Sequence, residues 1–258
     1  MLLAYDDDGP GPVVVLLHGF PLNRTMWKAQ QARIGSLYRV ISPDLRGHGH
    51  TAAPYGIYTI DEMADDVLDL LNALQLKEPV VLGGLSMGGY IALSLIARHP
   101  ERVRALMLMD TRAGADSTEA ALARQELAKQ VEATRSVEHV VTTMLPKLFS
   151  ETTRSLHPDR IEPVRRMMEH TPARTVAGAL RGMAARPDRT NDLARIHVPT
   201  LVLVGEDDTI TPPNEARAMA QAIPGAQLEI IPHAGHLAPL ENPSASNEAI
   251  LRFLSSLA

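Results

Sequence analysis

Short apolar, β-prone runs recur along the chain at Val13–Leu17, Val40–Ile41, Val80–Leu82, Leu106–Met109, Leu201–Val204 and Leu228–Ile231. A strand with one face in water alternates apolar with polar residues. Runs that stay apolar therefore suit strands covered on both faces, as in a parallel sheet. Helical periodicity lies between them. Asp61–Leu74 sets Met63, Val67, Leu70, Leu71 and Leu74 at three- and four-residue spacings, and Tyr90–Ala97 and Glu215–Ala222 repeat the pattern. Strands alternating with helices predict an α/β, doubly wound fold with a mostly parallel central sheet flanked by helices.

From about Thr111 to Asp192 the alternation stops. No strand pattern is present there, and Glu119–Thr134, Val137–Lys147, Arg160–His170 and Thr175–Ala185 read as amphipathic helices. The expected organisation is a core built from residues 1–110 and 193–258, with 111–192 as a helical insertion between two strands of its sheet. The 13 basic and 11 acidic residues of the insertion are interspersed, as on a solvated face, and Met144, Met167, Met168 and Met183 read as core filler. Pro79–Ala97 runs 19 residues without a charge, close to the ~20 that a membrane-spanning helix requires. Gly83, Gly84, Gly88 and Gly89 sit in its middle, where each costs ~1 kcal/mol against Ala in a helix, so a strand, a sharp turn and a helix are predicted instead.

Composition narrows the function classes. A chain of 258 residues with 45% hydrophobic and 21% charged residues has the make-up of a soluble globular protein. The net charge is −5, from 25 basic and 30 acidic residues in no long block, which argues against a nucleic-acid partner. The chain contains no cysteine, which excludes thiol nucleophiles, cysteine-ligated zinc, iron–sulfur clusters and disulfides together. The opening residues MLLAYDDD hold neither a basic stretch nor a sustained apolar one, so no secretion signal is read in them and a cytoplasmic location is expected.

The strongest chemical signal is Gly84-Leu85-Ser86-Met87-Gly88, directly after an apolar strand and directly before a helix. This is the G-x-S-x-G nucleophile elbow in its strand–turn–helix setting. The turn forces the serine into a strained conformation, and small residues on either side let helix and strand approach. A serine hydroxyl is a weak nucleophile at neutral pH and needs a base, which in turn needs an orienting carboxylate. The expected chain order is Ser, then Asp or Glu, then His, each in a loop after a later strand. Gly205-Glu206-Asp207-Asp208 follows Leu201–Val204, and Pro232-His233-Ala234-Gly235-His236 follows Leu228–Ile231. The backbone N–H of Met87, next to the nucleophile, supplies one of the two donors that an oxyanion needs.

With these features go the loop His18-Gly19-Phe20, Trp27 shortly after it, Pro43-Asp44-Leu45-Arg46-Gly47-His48-Gly49, and Glu241-Asn242-Pro243 beyond Gly235-His236. Together they give the chain a resemblance to the α/β-hydrolases, in particular bacterial carboxylesterases and 3-oxoadipate enol-lactonase-like hydrolases. It extends from about residue 13 to the C-terminus, with the insertion in the usual position of a cap. The resemblance implies an α/β-hydrolase fold with His236 as base, His233 being the alternative. It implies Asp208 as orienter, with Asp207 beside it, and Asp110, a position that some relatives use, as alternatives. It gives the second oxyanion donor to the N–H of Phe20, and makes His18 a loop-ordering group.

Rival motifs fail. His48-Gly49-His50 and His233 with His236 lack a third metal ligand at a recognisable spacing. Gly89-Tyr90 stand where a phosphate loop needs Lys and Ser/Thr. No metal and no cofactor is expected. Few residues precede Val13, so the front of the sheet is expected to be shortened to a strand near Leu2–Tyr5. Aromatics are scarce and the insertion carries only Phe149, so a Leu, Met and Val pocket for short aliphatic acyl groups is expected. The expected activity is a serine carboxylesterase acting on a small-molecule ester. An enol-lactone hydrolase is the alternative, and would need one of the insertion's 11 arginines aimed at the serine for the substrate carboxylate. A ligand-binding protein without turnover is the third reading.

Overall fold

Chain segments that are apolar on both sides have to be covered on both sides, and that requirement organises the architecture. The computed structural model describes residues 1–257; residue 258, the last of the expected core segment 193–258, lies outside the described residues. The strands are β1 (Tyr5–Asp8), β2 (Val13–Leu17), β3 (Arg39–Pro43), β4 (Val80–Leu85), β5 (Val103–Met109), β6 (Thr200–Gly205) and β7 (Gln227–Ile231). They form one sheet in the order β1-β3-β2-β4-β5-β6-β7, parallel throughout except that β1 runs antiparallel to β3. The strand order reverses at β2. In open parallel sheets the carboxyl ends of the strands beside such a switch point are where ligands bind.

The helices are α1 (Lys28–Ile34), α2 (Ile60–Ala73), α3 (Met87–Arg98), α4 (Thr118–Thr134), α5 (Glu138–Leu148), α6 (Glu151–Leu156), α7 (Ile161–His170), α8 (Ala173–Ala184), α9 (Pro213–Ala222), α10 (Ala238–Glu241) and α11 (Pro243–Ser255). Successive strand residues point to opposite faces, and two cores result. Val15, Leu17, Leu82, Leu106, Val202 and Val204 pack with residues of α2, α3 and α9, such as Leu70, Ile91 and Met219. Val14, Leu16, Val81, Met107, Leu201 and Leu203 pack with α1 and α11 through Ile34, Ile250 and Phe253. Thr59 and Glu62 start α2 with a reciprocal capping box, which satisfies two backbone donors that the first turn leaves open.

Helices α4 to α8 all lie between β5 and β6, which are neighbours in the sheet and pair Leu106 with Thr200. Met167, Met168 and Met183 are buried among these helices and Met144 packs against both cores. Pro79–Ala97 resolves into β4, a turn and most of α3, and no helix of the described residues is long and apolar enough to cross a membrane.

One expectation needs correction. The front strand lies over Tyr5–Asp8 rather than Leu2–Tyr5. Three consecutive aspartates are poor strand formers, but arginines from neighbouring segments compensate them. Arg39 donates to Asp7 at 2.7 Å and Arg24 to Asp6 at 2.8 Å. The charges also suit an edge strand, whose open backbone would otherwise template aggregation.

Candidate active site

Between the end of β4 at Leu85 and the start of α3 at Met87, Ser86 alone makes the turn, at φ +52° and ψ −113°. A non-glycine residue there carries strain of order 1–3 kcal/mol and persists only when its surroundings over-determine it. They do so here. The Ser86 N–H donates to the Met109 carbonyl at 3.0 Å. Its own carbonyl accepts from Gly89 N–H at 2.9 Å, Tyr90 N–H at 3.2 Å and Thr111 Oγ1 at 2.8 Å. A Cβ on Gly84 would collide with the Gly88 backbone, and one on Gly88 with the carbonyl of Leu17, so the tight crossing of strand and helix requires both glycines.

The carboxyl ends of β4, β6 and β7 bring three of the expected residues into one hydrogen-bonded chain. Ser86 Oγ lies 2.9 Å from His236 Nε2, and His236 Nδ1 lies 2.9 Å from Asp208 Oδ2. With the imidazole proton on Nδ1, where the carboxylate accepts it, Nε2 is left to accept from the serine hydroxyl. His236 and Asp208 are almost completely buried. Asp208 Oδ1 accepts from the N–H groups of Ile210 at 2.8 Å and Thr211 at 3.0 Å, and Oδ2 from Thr211 Oγ1 at 2.6 Å. Burial pushes the Asp208 carboxyl up, but the charge of His236 and the hydrogen bonds from His236 and Thr211 outweigh it and hold the group below the usual carboxylate range.

Phe20 and Met87 follow the ends of the adjacent strands β2 and β4, on either side of the switch point. The loop carrying Phe20 runs beside the serine: a Cβ on Gly19 would sit 3.5 Å from Ser86 Cβ. The N–H groups of Phe20 and Met87 find no acceptor among the described residues. The Met87 N–H also opens α3, where the helix dipole favours negative charge. His18 orders this loop: Nδ1–H donates to the Gly19 carbonyl and Nε2 accepts from Leu45 N–H, each at 2.9 Å. Its ring meets His48 edge to face at 5.0 Å. Burial pushes His18 down to about 4, and burial together with the neighbouring His18 pushes His48 down to about 3. Both are neutral at pH 7.

The alternatives lie elsewhere. His233 is exposed, and its N–H donates to Glu206 Oε2 at 3.2 Å. Asp207 is exposed and engages through its N–H, to the Ala234 carbonyl. Asp110 is fully buried, and its carboxyl accepts from the N–H groups of Gly205 at 2.8 Å and Ala238 at 3.2 Å. Burial and the nearby Asp208 push that carboxyl well above the usual range. Thr211 was not anticipated, although a hydroxyl three residues after an aspartate is a common local partner for its carboxylate. The arginines of α4 to α8 and their flanks are largely spoken for. Arg112, Arg124 and Arg186 converge on the buried Asp116 at 2.7–2.9 Å, Arg189 pairs with Asp61 and Arg181 with Glu132. Among the described residues none donates to Ser86, His236 or Asp208. These residues contain no group of three His, Cys, Asp or Glu side chains placed to hold a metal ion.

Comparison with known proteins bears on the family and the fold. The profile of the α/β hydrolase fold family matches residues 12–243. A thermophilic esterase from Thermogutta terrifontis, solved with malate bound, is 45% identical with a TM-score of 0.97, over 99% of this chain and 93% of that one. An enol-lactonase from Burkholderia xenovorans is 31% identical with a TM-score of 0.90, over 98% and 96%. A non-heme chloroperoxidase from Kitasatospora aureofaciens is 30% identical over 91% of this chain and 88% of its own. One fold hosts several chemistries, and what these relatives share with this chain is the scaffold. The chain belongs to the α/β-hydrolase family.

Proposed function

We propose that the protein is a serine carboxylesterase that hydrolyses short-chain carboxylic esters through an acyl-enzyme, with 111–192 as the cap over its acyl pocket. The observation that carries this reading is the Ser86–His236–Asp208 chain, with both links at 2.9 Å, together with the neighbouring N–H groups of Phe20 and Met87, which find no acceptor among the described residues. Ser86 Oγ attacks the ester carbonyl while its proton passes to His236 Nε2. Asp208 stabilises the imidazolium. The N–H groups of Phe20 and Met87 hold the tetrahedral oxyanion, a task worth about 10²–10³ in rate for one such donor. The C–O bond to the alcohol then breaks, and the leaving oxygen takes the proton from His236. Water gives a proton to His236 and attacks the acyl carbon, and Ser86 leaves reprotonated. None of these steps calls for a cofactor or a nucleic acid, and the reading carries a cytoplasmic enzyme with a small-molecule substrate.

The engagement of the arginines favours a simple ester over a lactone acid, whose carboxylate would need a free guanidinium at the serine. Enol-lactone hydrolysis remains the second reading because an enol-lactonase is among the relatives. The test is kcat/KM across p-nitrophenyl esters from acetate to decanoate, with Ser86→Ala as background. Activity that peaks at short acyl chains and vanishes in the variant supports the proposal. Rates at background in both overturn it, and turnover of an enol-lactone alone installs the second reading. Binding without product release and without trapping by a serine-directed phosphonate would mark a non-catalytic protein.

A further inference from the structure

Four consecutive backbone N–H groups surround the proposed base, and each has an acceptor. Gly235 and Leu237 donate to the same oxygen of Glu241, Oε1, at 2.8 and 3.2 Å. His236 donates to the Leu148 carbonyl at 3.0 Å, and Ala238 to Asp110 Oδ2 at 3.2 Å. The second oxygen of Glu241, Oε2, accepts from Ser150 N–H at 2.8 Å. Leu148 ends α5 and Ser150 caps α6, so this carboxylate joins the base loop to the α5–α6 junction. Two further bonds lie along the same seam. Ser150 Oγ donates to the His233 carbonyl at 3.0 Å, and Arg160 donates to the Glu241 carbonyl.

The chemistry of the junction selects a carboxylate. Glu241 is 2% exposed, and a buried carboxylate is tolerated only when its oxygens are satisfied. Three N–H donors converge on it, and an amide could accept at one oxygen only while turning its own N–H₂ toward a donor. Contact at the junction is backbone to backbone: a Cβ on Gly235 would sit 2.7 Å from Ser150 N.

We infer that Glu241 is a positioning residue that holds His236 in register with Ser86 and locks the base loop to the α5–α6 junction, so that the two move as one unit. The inference rests on the proposed roles of Ser86 and His236. The charged groups facing the loop are Asp208 at the His236 ring, Asp110 at Ala238, Arg160 at the Glu241 carbonyl and Glu206 at His233.

The test compares Glu241→Gln with the wild-type protein by the rate of Ser86 labelling with a fluorophosphonate across pH, by kcat and KM on a p-nitrophenyl ester, and by Tm. The variant is expected to label and turn over about 10- to 100-fold more slowly, since a displaced catalytic group loses rate steeply with distance. KM should stay within about twofold, and the pH midpoint of labelling should move by about half a unit or more because the base is no longer held in one geometry. Labelling and kcat within about twofold of wild type, at an unmoved midpoint, overturn the inference. Amide hydrogen exchange on the wild-type protein decides the matter if the variant fails to fold. Ser150, Gly235 and Leu237 should share one protection level, and a Ser150 amide exchanging at the rate of an open loop overturns the link. Wild-type protein that neither labels nor hydrolyses esters sinks the proposed function itself, whereas a reactive wild type with an indifferent Glu241→Gln sinks only this inference.

Discussion

The paired histidines behind the Phe20 loop make stability depend on pH in a way that one substitution isolates. His18 and His48 protonate in the fold only near 4 and 3, against an ordinary histidine value of 6.5. Between pH 6.5 and about 4 the unfolded chain therefore binds up to two more protons than the folded one, and stability falls as the pH falls. Each such proton is worth about 1.4 kcal/mol per pH unit. From pH 7 to pH 5 the pair alone removes about 4 kcal/mol, a large share of the 5–15 kcal/mol typical of a domain. Asp110 acts with the opposite sign, because its raised folded-state pKa makes the native state hold a proton that the unfolded state has released, so the net slope is smaller than the histidines alone would give. Comparing slopes cancels this term. His48 Nδ1–H donates to the Arg46 carbonyl at 2.9 Å while its Nε2 has no partner among the described residues, so His48→Asn keeps a donor for that carbonyl and deletes the titration. Urea unfolding of both proteins between pH 6 and pH 5 should show the variant losing stability more slowly, by about 1 kcal/mol per pH unit, whatever its absolute stability. Parallel slopes would refute the neutral, buried state of His48.

Other substitutions probe the site directly. Asp208→Asn should leave Tm nearly unchanged while lowering kcat by about 10⁴-fold, since the amide favours the wrong imidazole tautomer; a loss below about tenfold would remove Asp208 from the reaction. Thr211→Val deletes one of the donors on Asp208 Oδ2, and at about 1.5–3 kcal/mol for a hydrogen bond to a charged group it should lower kcat/KM by about 10- to 100-fold in steady-state assays with little change in KM. Gly84→Ala drives a methyl into the Gly88 backbone and should destabilise the fold by about 1–3 kcal/mol or more, visible as a lower Tm. An unshifted Tm would show that the turn is looser than drawn.

How much of this was legible in the sequence depended on the range of the interaction. Unbroken apolar runs announced the parallel strands because burial on both faces leaves a one-dimensional mark. The elbow was equally plain, since Gly84, Ser86 and Gly88 answer to constraints within one turn. Chain order pointed to the loops 205–208 and 232–236, each directly after a strand, and the family resemblance singled out Asp208 and His236 within them. What stayed hidden depends on partners far away. Glu241 meets Ser150 across 91 residues, and Asp116 gathers Arg112, Arg124 and Arg186 from both ends of the insertion. Neither the Ser150 nor the Arg186 contact has a spacing to read, although Arg112 stands four residues before Asp116. The true extent of β1 is hidden because its aspartates look unfit for a strand until Arg24 and Arg39 arrive from elsewhere, and α6 is too short to show a period.

The helices between β5 and β6 leave and re-enter the sheet at adjacent strands, only ~4.8 Å apart in the pairing direction. Closing a chain excursion costs little more as it lengthens, about 0.6 kcal/mol for each doubling. An excursion between neighbouring strands can therefore change in length or content at little cost in closure entropy and without shifting sheet register. The seam at Leu148 and Ser150 limits that freedom. Any transplant must bring one carbonyl for the His236 amide and one N–H for Glu241, at the same two points in space.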